Sequence, residues 1–238
     1  SPAGPTDEVG LMSTPLTLAA VLTQCADTKQ YSWKVRLRAL TWLREQCATE
    51  EGQRVICGDS EGMGASHESS SIKNNDGVGN EDGDDTGLGD CAAGSSLTTK
   101  DSVEPLSSLA AVLEAQLRDL RSAVVKGACE TVATLSEKLG DRFNRAAPAL
   151  ARTLLELSGV GNSVIKDRVH KCALALFEST QAVAAIDVVL GILGSSRHSD
   201  VLYSGFLALD TVLKSWKQDV WRASAAAIAR AIALGANE

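Results

Sequence analysis

The chain has 238 residues, of which 44% are apolar but only 4% aromatic, and its formal net charge is −7. A composition rich in Ala and Leu with few aromatics disfavours a β-sandwich and favours packed helices. The charge is uneven, because residues 50–90 hold eleven Asp/Glu and two Lys/Arg while the remainder holds nineteen and twenty-one. A remainder near +2 without a dense basic stripe disfavours nucleic-acid binding.

The first predicted unit is a pair of helices over residues 14–49. Residues 1–13 are predicted to be a flexible lead-in, and Ser13 or Thr14 then caps a helix. After a short connection a second helix begins near Lys34, with an apolar stripe at helical period formed by Leu37, Leu40, Leu43 and Cys47. We interpret this pair as the first of a series of repeats.

Residues 50–100 are predicted to be a disordered acidic insertion, because the segment is dense in Gly, Ser and Asp and has little to bury. A calcium-binding loop starting at Asn80 would need Gly and Glu where the chain has Asp85 and Cys91, so no metal site is predicted there. Deleting residues 52–98 is expected to leave the fold intact.

The central stretch, residues 114–139, contains a helical approach, a tight corner at Arg121 and a second helix for which Ser122 is the predicted cap. The second helix carries one apolar stripe, formed by Val125, Ala128, Val132, Leu135 and Leu139. A helix pair of this kind cannot bury both apolar faces alone and therefore predicts neighbours of the same kind.

Five more helices are predicted after this pair, over residues 146–158, 164–180, 182–194, 201–216 and 219–234. The corners at Ser122, Ser163 and Asp200 are 41 and 37 residues apart, and Trp33 to Ser122 is 38 once the 51 residues 50–100 are removed. This period approaches that of HEAT-type pairs. The predicted fold is therefore all-α, an α-solenoid whose corners line one edge, with residues 101–238 holding repeats 2–4 and the start of the fifth in one domain with repeat 1.

The cysteine and histidine content points away from catalysis. Six cysteines show no metal-ligand spacing and are predicted to be buried, reduced thiols of a reducing compartment. The histidines His67, His170 and His198 form no nucleophile or metal pattern. The chain is predicted not to be an enzyme and to hold no cofactor. There is no signal peptide or apolar run of membrane-spanning length, so no membrane association is predicted.

The predicted corners carry the candidate binding residues. In chain order they present Trp33, Lys34 and Arg36; Arg121, Ser122 and Lys126; Asn162, Ser163 and Lys166; and Arg197, His198 and Tyr203. An exposed indole with spaced cations suits an acidic protein surface. The alternative is that Trp33 packs into the core and the cations are merely solvated. Because they lie within predicted helices, Trp42, Trp216 and Trp221 are expected to be structural.

Three stretches resemble a known family. LRDLRSAVVKGACETVATLSEKLG resembles the second repeat of TOG domains, specifically those of the CLASP group of microtubule-associated proteins. SWKVRLRALTWLR is similar to the first-repeat motif of that family, and RHSDVLYSGFLALDTVLKSW to its fourth repeat. The resemblance covers about residues 14–48 and 104–234.

The resemblance implies a non-catalytic, paddle-like module that binds αβ-tubulin through its corners and regulates microtubule dynamics. It implies roles in tubulin binding for a set of corner residues: Trp33, Lys34, Arg36, Arg121, Ser122, Lys126, Ser163, Lys166 and Arg197. The fourth corner departs from the family, which carries arginines where this chain has Leu202, Tyr203 and Ser204. Family members have six repeats, whereas this chain ends near the fifth corner.

Two functions therefore remain open. The first is a tubulin- or microtubule-binding module, monomeric and cut from a larger protein (the first residue is Ser rather than Met), in the cytoplasm at the cytoskeleton: a microtubule plus end, a centrosome or a cilium. The second is a HEAT-repeat scaffold that binds another protein and has lost tubulin binding, which the arginine-poor fourth corner favours.

Overall fold

The structure is a computed structural model that describes residues 16–59, 105–160 and 162–235. The described residues are helical, with no strand among them, and they belong to one compact unit. This confirms the predicted all-α class. The predicted lead-in 1–13, the caps Ser13 and Thr14, and most of the predicted acidic insertion lie outside the described residues.

The described helices follow one another in chain order, and the connections are short except between α3 and α4, which residues 58–104 separate. They are α1 (Leu18–Ala26), α2 (Trp33–Cys47), α3 (Glu50–Cys57), α4 (Pro105–Leu117), α5 (Ser122–Leu139), α6 (Ala147–Leu157), α7 (Ser163–Ser179), α8 (Val183–Ser195), α9 (Ser199–Ser215), α10 (Gln218–Trp221) and α11 (Ala225–Gly235). Two 3₁₀ segments, Gly140–Arg145 and Arg222–Ser224, join α5 to α6 and α10 to α11. The single helix predicted over residues 219–234 is thus divided in two.

The helices pack in two layers. In one layer α1, α4, α6 and α8 contact each other in succession, and in the other α2, α5, α7 and α9 do so. The helices of the second layer run in the same direction, because residues further along one helix contact residues further along the next. Leu37 of α2 packs on Gly127 of α5, and Cys47 further along α2 reaches the carbonyl of Thr134 at 4.0 Å.

The same register links α7 to α9. Lys166, near the start of α7, pairs with Asp200 at the start of α9, and His170 one turn later lies 3.3 Å from the Ser204 hydroxyl. The N-terminal ends of α2, α5, α7 and α9 therefore lie along one edge, which we call the corner edge. Their C-terminal ends lie along the opposite edge, the far edge.

Local side-chain chemistry explains where several helices begin. The side chain of Thr17 accepts from the Ala20 amide at the start of α1, and that of Asn162 accepts from the amides of Val164 and Ile165 at the start of α7. The prediction that Ser122 caps α5 is wrong. Ser122 is the first helical residue, Arg121 occupies the cap position, and neither makes a side-chain cap bond.

The core is built from the apolar stripes that the sequence predicts. All five predicted stripe residues of α5 are buried. Trp216 is also buried, and its indole N–H donates to the Phe177 carbonyl at 2.6 Å. The free cysteines at 25, 47, 129 and 172 are buried as predicted, whereas Cys57 is only half-buried and Cys91 lies outside the described residues. Burial raises the pKa of the Cys25 thiol to about 12, which disfavours the reactive thiolate.

The predicted start of the insertion at residue 50 is wrong. Helix α3 covers Glu50–Cys57, the side chain of Thr49 accepts from the Gly52 amide at its start, and Gly58 ends it at φ 76°. Ile56 is completely buried in the common core. Deleting residues 52–98 would remove most of this helix and the buried Ile56, so we now expect such a deletion to destabilise the fold.

Replacing Ile56 by alanine tests whether α3 belongs to the folded unit. We expect this change to lower the free energy of unfolding by about 2–5 kcal/mol, because it leaves a cavity in a closed core. Replacing the adjacent, exposed Val55 by alanine should change it by less than about 0.5 kcal/mol. Denaturant unfolding of both variants measures the difference, and equal small effects would show that α3 contributes no core packing.

None of the helices in the described ranges combines the length and the apolarity needed to cross a membrane.

Candidate functional site: the corner edge

The corner edge begins with the indole that the sequence singles out. Trp33 is the first residue of α2, directly after Ser32, and 37% of its surface is exposed. The ammonium of the exposed Lys34 lies 6.0 Å from the centre of the Trp33 ring, within reach of a cation–π interaction. The alternative interpretation required Trp33 to pack into the core. Its exposed ring shows that it does not. It offers an aromatic face and a cation at one position.

Arg36 is not available to a partner, which corrects its assignment as a binding residue. Only 1% of its side chain is exposed, and one guanidinium nitrogen donates to Asp119 at 2.8 Å and to the Gln116 side chain at 2.7 Å. Gln116 in turn donates to the Cys25 carbonyl at 2.6 Å. The guanidinium is directed inward because Arg36 lies one turn into α2, on the side that faces α4 and the second corner.

Asp119 links the first two corners. Its carboxylate pairs with Arg36, accepts the backbone amide of Arg121 at 2.7 Å, and lies 3.8 Å from the Arg121 guanidinium. More than half of the Arg121 side chain remains exposed, and Ser122 beside it is exposed as well. Asp119 thus fixes the backbone that presents Arg121. Sequence reasoning did not select Asp119, although it lies within the family-like motif.

Lys126 is half-exposed one turn further along α5. Its ammonium lies 3.7 Å from Glu130, and Glu130 is also 3.7 Å from Arg44. Ion pairs at this distance on a solvated surface contribute little and break readily. Lys126 can therefore exchange Glu130 for an acidic group of a partner.

The third corner differs from the prediction in that its cation is already paired within the chain. Ser163 is exposed, but Lys166 is bonded to Asp200 of the next corner. The hydrogen bond and the positive charge of Lys166 hold the pKa of the Asp200 carboxyl below its ordinary value, and His198 adds to this effect. A partner would have to compete with Asp200 for Lys166. Lys166 lies on the corner edge as predicted, with its charge already matched inside the chain.

The fourth corner carries exposed Arg197 and His198, followed by an aromatic pair. Tyr203 is largely exposed, and its ring stacks on that of His170 with centroids 5.8 Å apart and planes 13° from parallel. The predicted arginine-poor character of this corner is retained. The exposed side chains of this corner are more often rings than charged groups.

Two basic residues that sequence reasoning did not select lie just behind the corners. Arg168 and Lys171 of α7 face Lys126 across a cleft of about 190 Å³, and neither makes an ion pair with any described residue. The cleft exists only because α5 and α7 pack side by side, across a sequence separation that no local pattern reveals. Arg168 and Lys171 lie outside the apolar stripe of α7, and this was the one feature of the sequence that could have pointed to them.

The corner edge exposes an indole and several cations. The described ranges contain no group of three or more His, Cys, Asp and Glu side chains arranged to hold a metal ion. An exposed indole and cations without strong internal partners can bind an acidic protein surface. A comparison with models of known protein families finds no match for this chain.

Proposed function

We propose that the chain is a solenoid of HEAT-like helical pairs, related to CLASP-type TOG domains, and that its corner edge binds αβ-tubulin. In this role it would regulate microtubule dynamics without catalysis, at the cytoskeleton near a plus end, a centrosome or a cilium. The observation that carries the proposal is the exposed Trp33, with Lys34 beside its ring, on the same edge as Arg121.

The two-layer packing supports the solenoid part of the proposal. Each pair of helices contacts the next pair through both layers, as expected of stacked repeats. The corner-to-corner bonds, Arg36 with Asp119 and Lys166 with Asp200, repeat the same connection between successive units. Short corners at a similar spacing would then present one continuous surface to a flat partner.

A HEAT-repeat scaffold for a different protein remains the second candidate. The observation that favours it is the burial of Arg36 together with the pairing of Lys166, because two of the nominated cations are already matched within the chain. Of the nominated cations, Lys34, Arg121, Lys126 and Arg197 remain exposed.

Gel filtration of the chain with soluble αβ-tubulin tests the proposal. We expect co-elution at low ionic strength and progressive loss of the complex as salt is added, because exposed cations act through a screened field. Separate elution at low salt, with tubulin in excess and the chain shown by circular dichroism to be helical, would favour the scaffold interpretation.

A further inference from the structure

The cleft between α5 and α7 is a surface depression with an apolar floor and a mostly basic rim. Its volume is about 190 Å³, and its floor consists of small side chains, namely Cys129, Ala133 and Cys172. The rim carries Lys126 and Glu130 on one side and Arg168 and Lys171 on the other. These small side chains offer an apolar surface on which methylene groups can pack.

Cations without strong partners dominate the rim. Lys126 and Glu130 approach only to 3.7 Å, and Glu130 is shared with Arg44. Arg168 and Lys171 make no ion pair within the described part of the chain, so their charges are unmatched there. A side chain such as Arg168 can bind one carboxylate through two parallel hydrogen bonds.

The cleft continues towards the corner edge. A second depression of about 280 Å³ is lined by Val164 and Asp167 together with the same Arg168 and Lys171. Val164 is the second residue of α7 and is exposed at the third corner. The two depressions therefore form a strip from the corner edge down the outer face of α7.

We propose that this strip binds an extended acidic peptide segment of the protein partner, with Arg168 and Lys171 as the carboxylate-binding residues. The proposal rests on the proposed function, since it assumes a partner already held at the corner edge. Glutamate side chains would lay their methylene groups on the cysteine and alanine floor and place their carboxylates at the rim. Glu130 and Asp167 oppose an acidic segment, but the three cations of the strip, Lys126, Arg168 and Lys171, outnumber them.

An acidic peptide fits the strip better than a nucleic acid does. Binding of single strands relies on aromatic platforms for the bases, and no aromatic side chain lines either depression. The fluorescence anisotropy of a labelled oligoglutamate peptide is therefore the direct probe, with a labelled oligouridine in parallel.

The decisive variants reverse charge at the strip or at a matched control position. Arg168→Glu with Lys171→Glu should weaken oligoglutamate binding by roughly tenfold or more, because it replaces two attractive contacts by two repulsive ones. Lys214→Glu with Lys217→Glu makes the same change of net charge at the far edge, on exposed residues, and should stay within about twofold of the parent.

Equal losses in the two double variants, no binding of oligoglutamate by the parent, or tighter binding of oligouridine would each overturn the proposal. The tubulin assay keeps this test separate from that of the proposed function. If the parent co-elutes with tubulin while the strip variant binds tubulin as tightly as the parent does, the strip is excluded and the corner edge is retained. If the parent does not bind tubulin at all, the proposed function itself fails.

Discussion

Replacing Asp119 by alanine is expected to lower the free energy of unfolding by about 3–5 kcal/mol. The change leaves the guanidinium of Arg36, only 1% exposed, with the Gln116 side chain as its remaining acceptor among the described residues. An uncompensated buried charge is far more costly than the loss of an ordinary contact. The backbone amide of Arg121 also loses its acceptor, which adds to the effect.

The chain provides a closely matched control. Arg118 and Glu156 are also 2.8 Å apart, but half of the Arg118 side chain and 43% of the Glu156 side chain are exposed. Glu156→Ala should therefore reduce stability by no more than about 1 kcal/mol. Urea unfolding of both variants compares a buried ion pair with an exposed one in which the charged atoms are the same distance apart. A loss for Asp119→Ala as small as that for Glu156→Ala would show that the Arg36 charge is solvated after all.

A double variant sharpens this test. Arg36→Met combined with Asp119→Ala removes both charges, and a buried ion pair replaced by apolar groups is often close to neutral. We therefore expect the double variant to regain part of the stability that Asp119→Ala loses. If the two changes simply add, the argument from an unpaired buried charge is wrong.

Replacing Trp33 and Arg121 together by alanine is expected to weaken tubulin binding by about 100-fold, which corresponds to roughly 2.7 kcal/mol. Tryptophan and arginine are the residues most often found at energetic hot spots of interfaces. Arg121 is more than half exposed, whereas most of the Trp33 surface is covered, so the thermal unfolding of the variant is measured too and binding is compared well below that transition. Titration of labelled tubulin measures the change in affinity.

Leu213→Ala with Lys217→Ala is the corresponding control on the far edge. Leu213 has the same exposed fraction as Trp33, 37%, and Lys217 is exposed two residues after the end of α9. This variant should bind tubulin as the parent does. Equal weakening of both variants would mean that affinity depends on general surface properties and not on the corner edge.

Periodicity within the sequence predicts most of the helices and the corners between them. The stripe of α5 and the repeated corner spacing depend on residues close together in the chain, where helical geometry translates directly into pattern. Helix α3 was missed because the composition of residues 50–100 was judged as a whole. Within that average, the Thr49 cap and the apolar Ile56 were too short a signal.

The roles of individual charges could not be read from local pattern. Arg36 and Asp119 are 83 residues apart, and Lys166 and Asp200 are 34 apart. From the sequence alone, a cation near a corner is predicted to face solvent. Whether the neighbouring unit supplies a carboxylate to pair with it depends on how the helices stack. Arg168 and Lys171 were missed for the same reason, because their cleft needs α5 as its opposite wall.

Hydrogen exchange of the chain alone and saturated with αβ-tubulin tests the central claim most directly, since it maps the bound surface without any substitution. Binding through the corner edge predicts slower exchange at residues 32–37, 121–126 and 163–166 on that edge, and unchanged exchange at residues 48–57 and 140–145 on the far edge. Protection confined to the far edge, or no protection at any of the corners in a demonstrated complex, would contradict it.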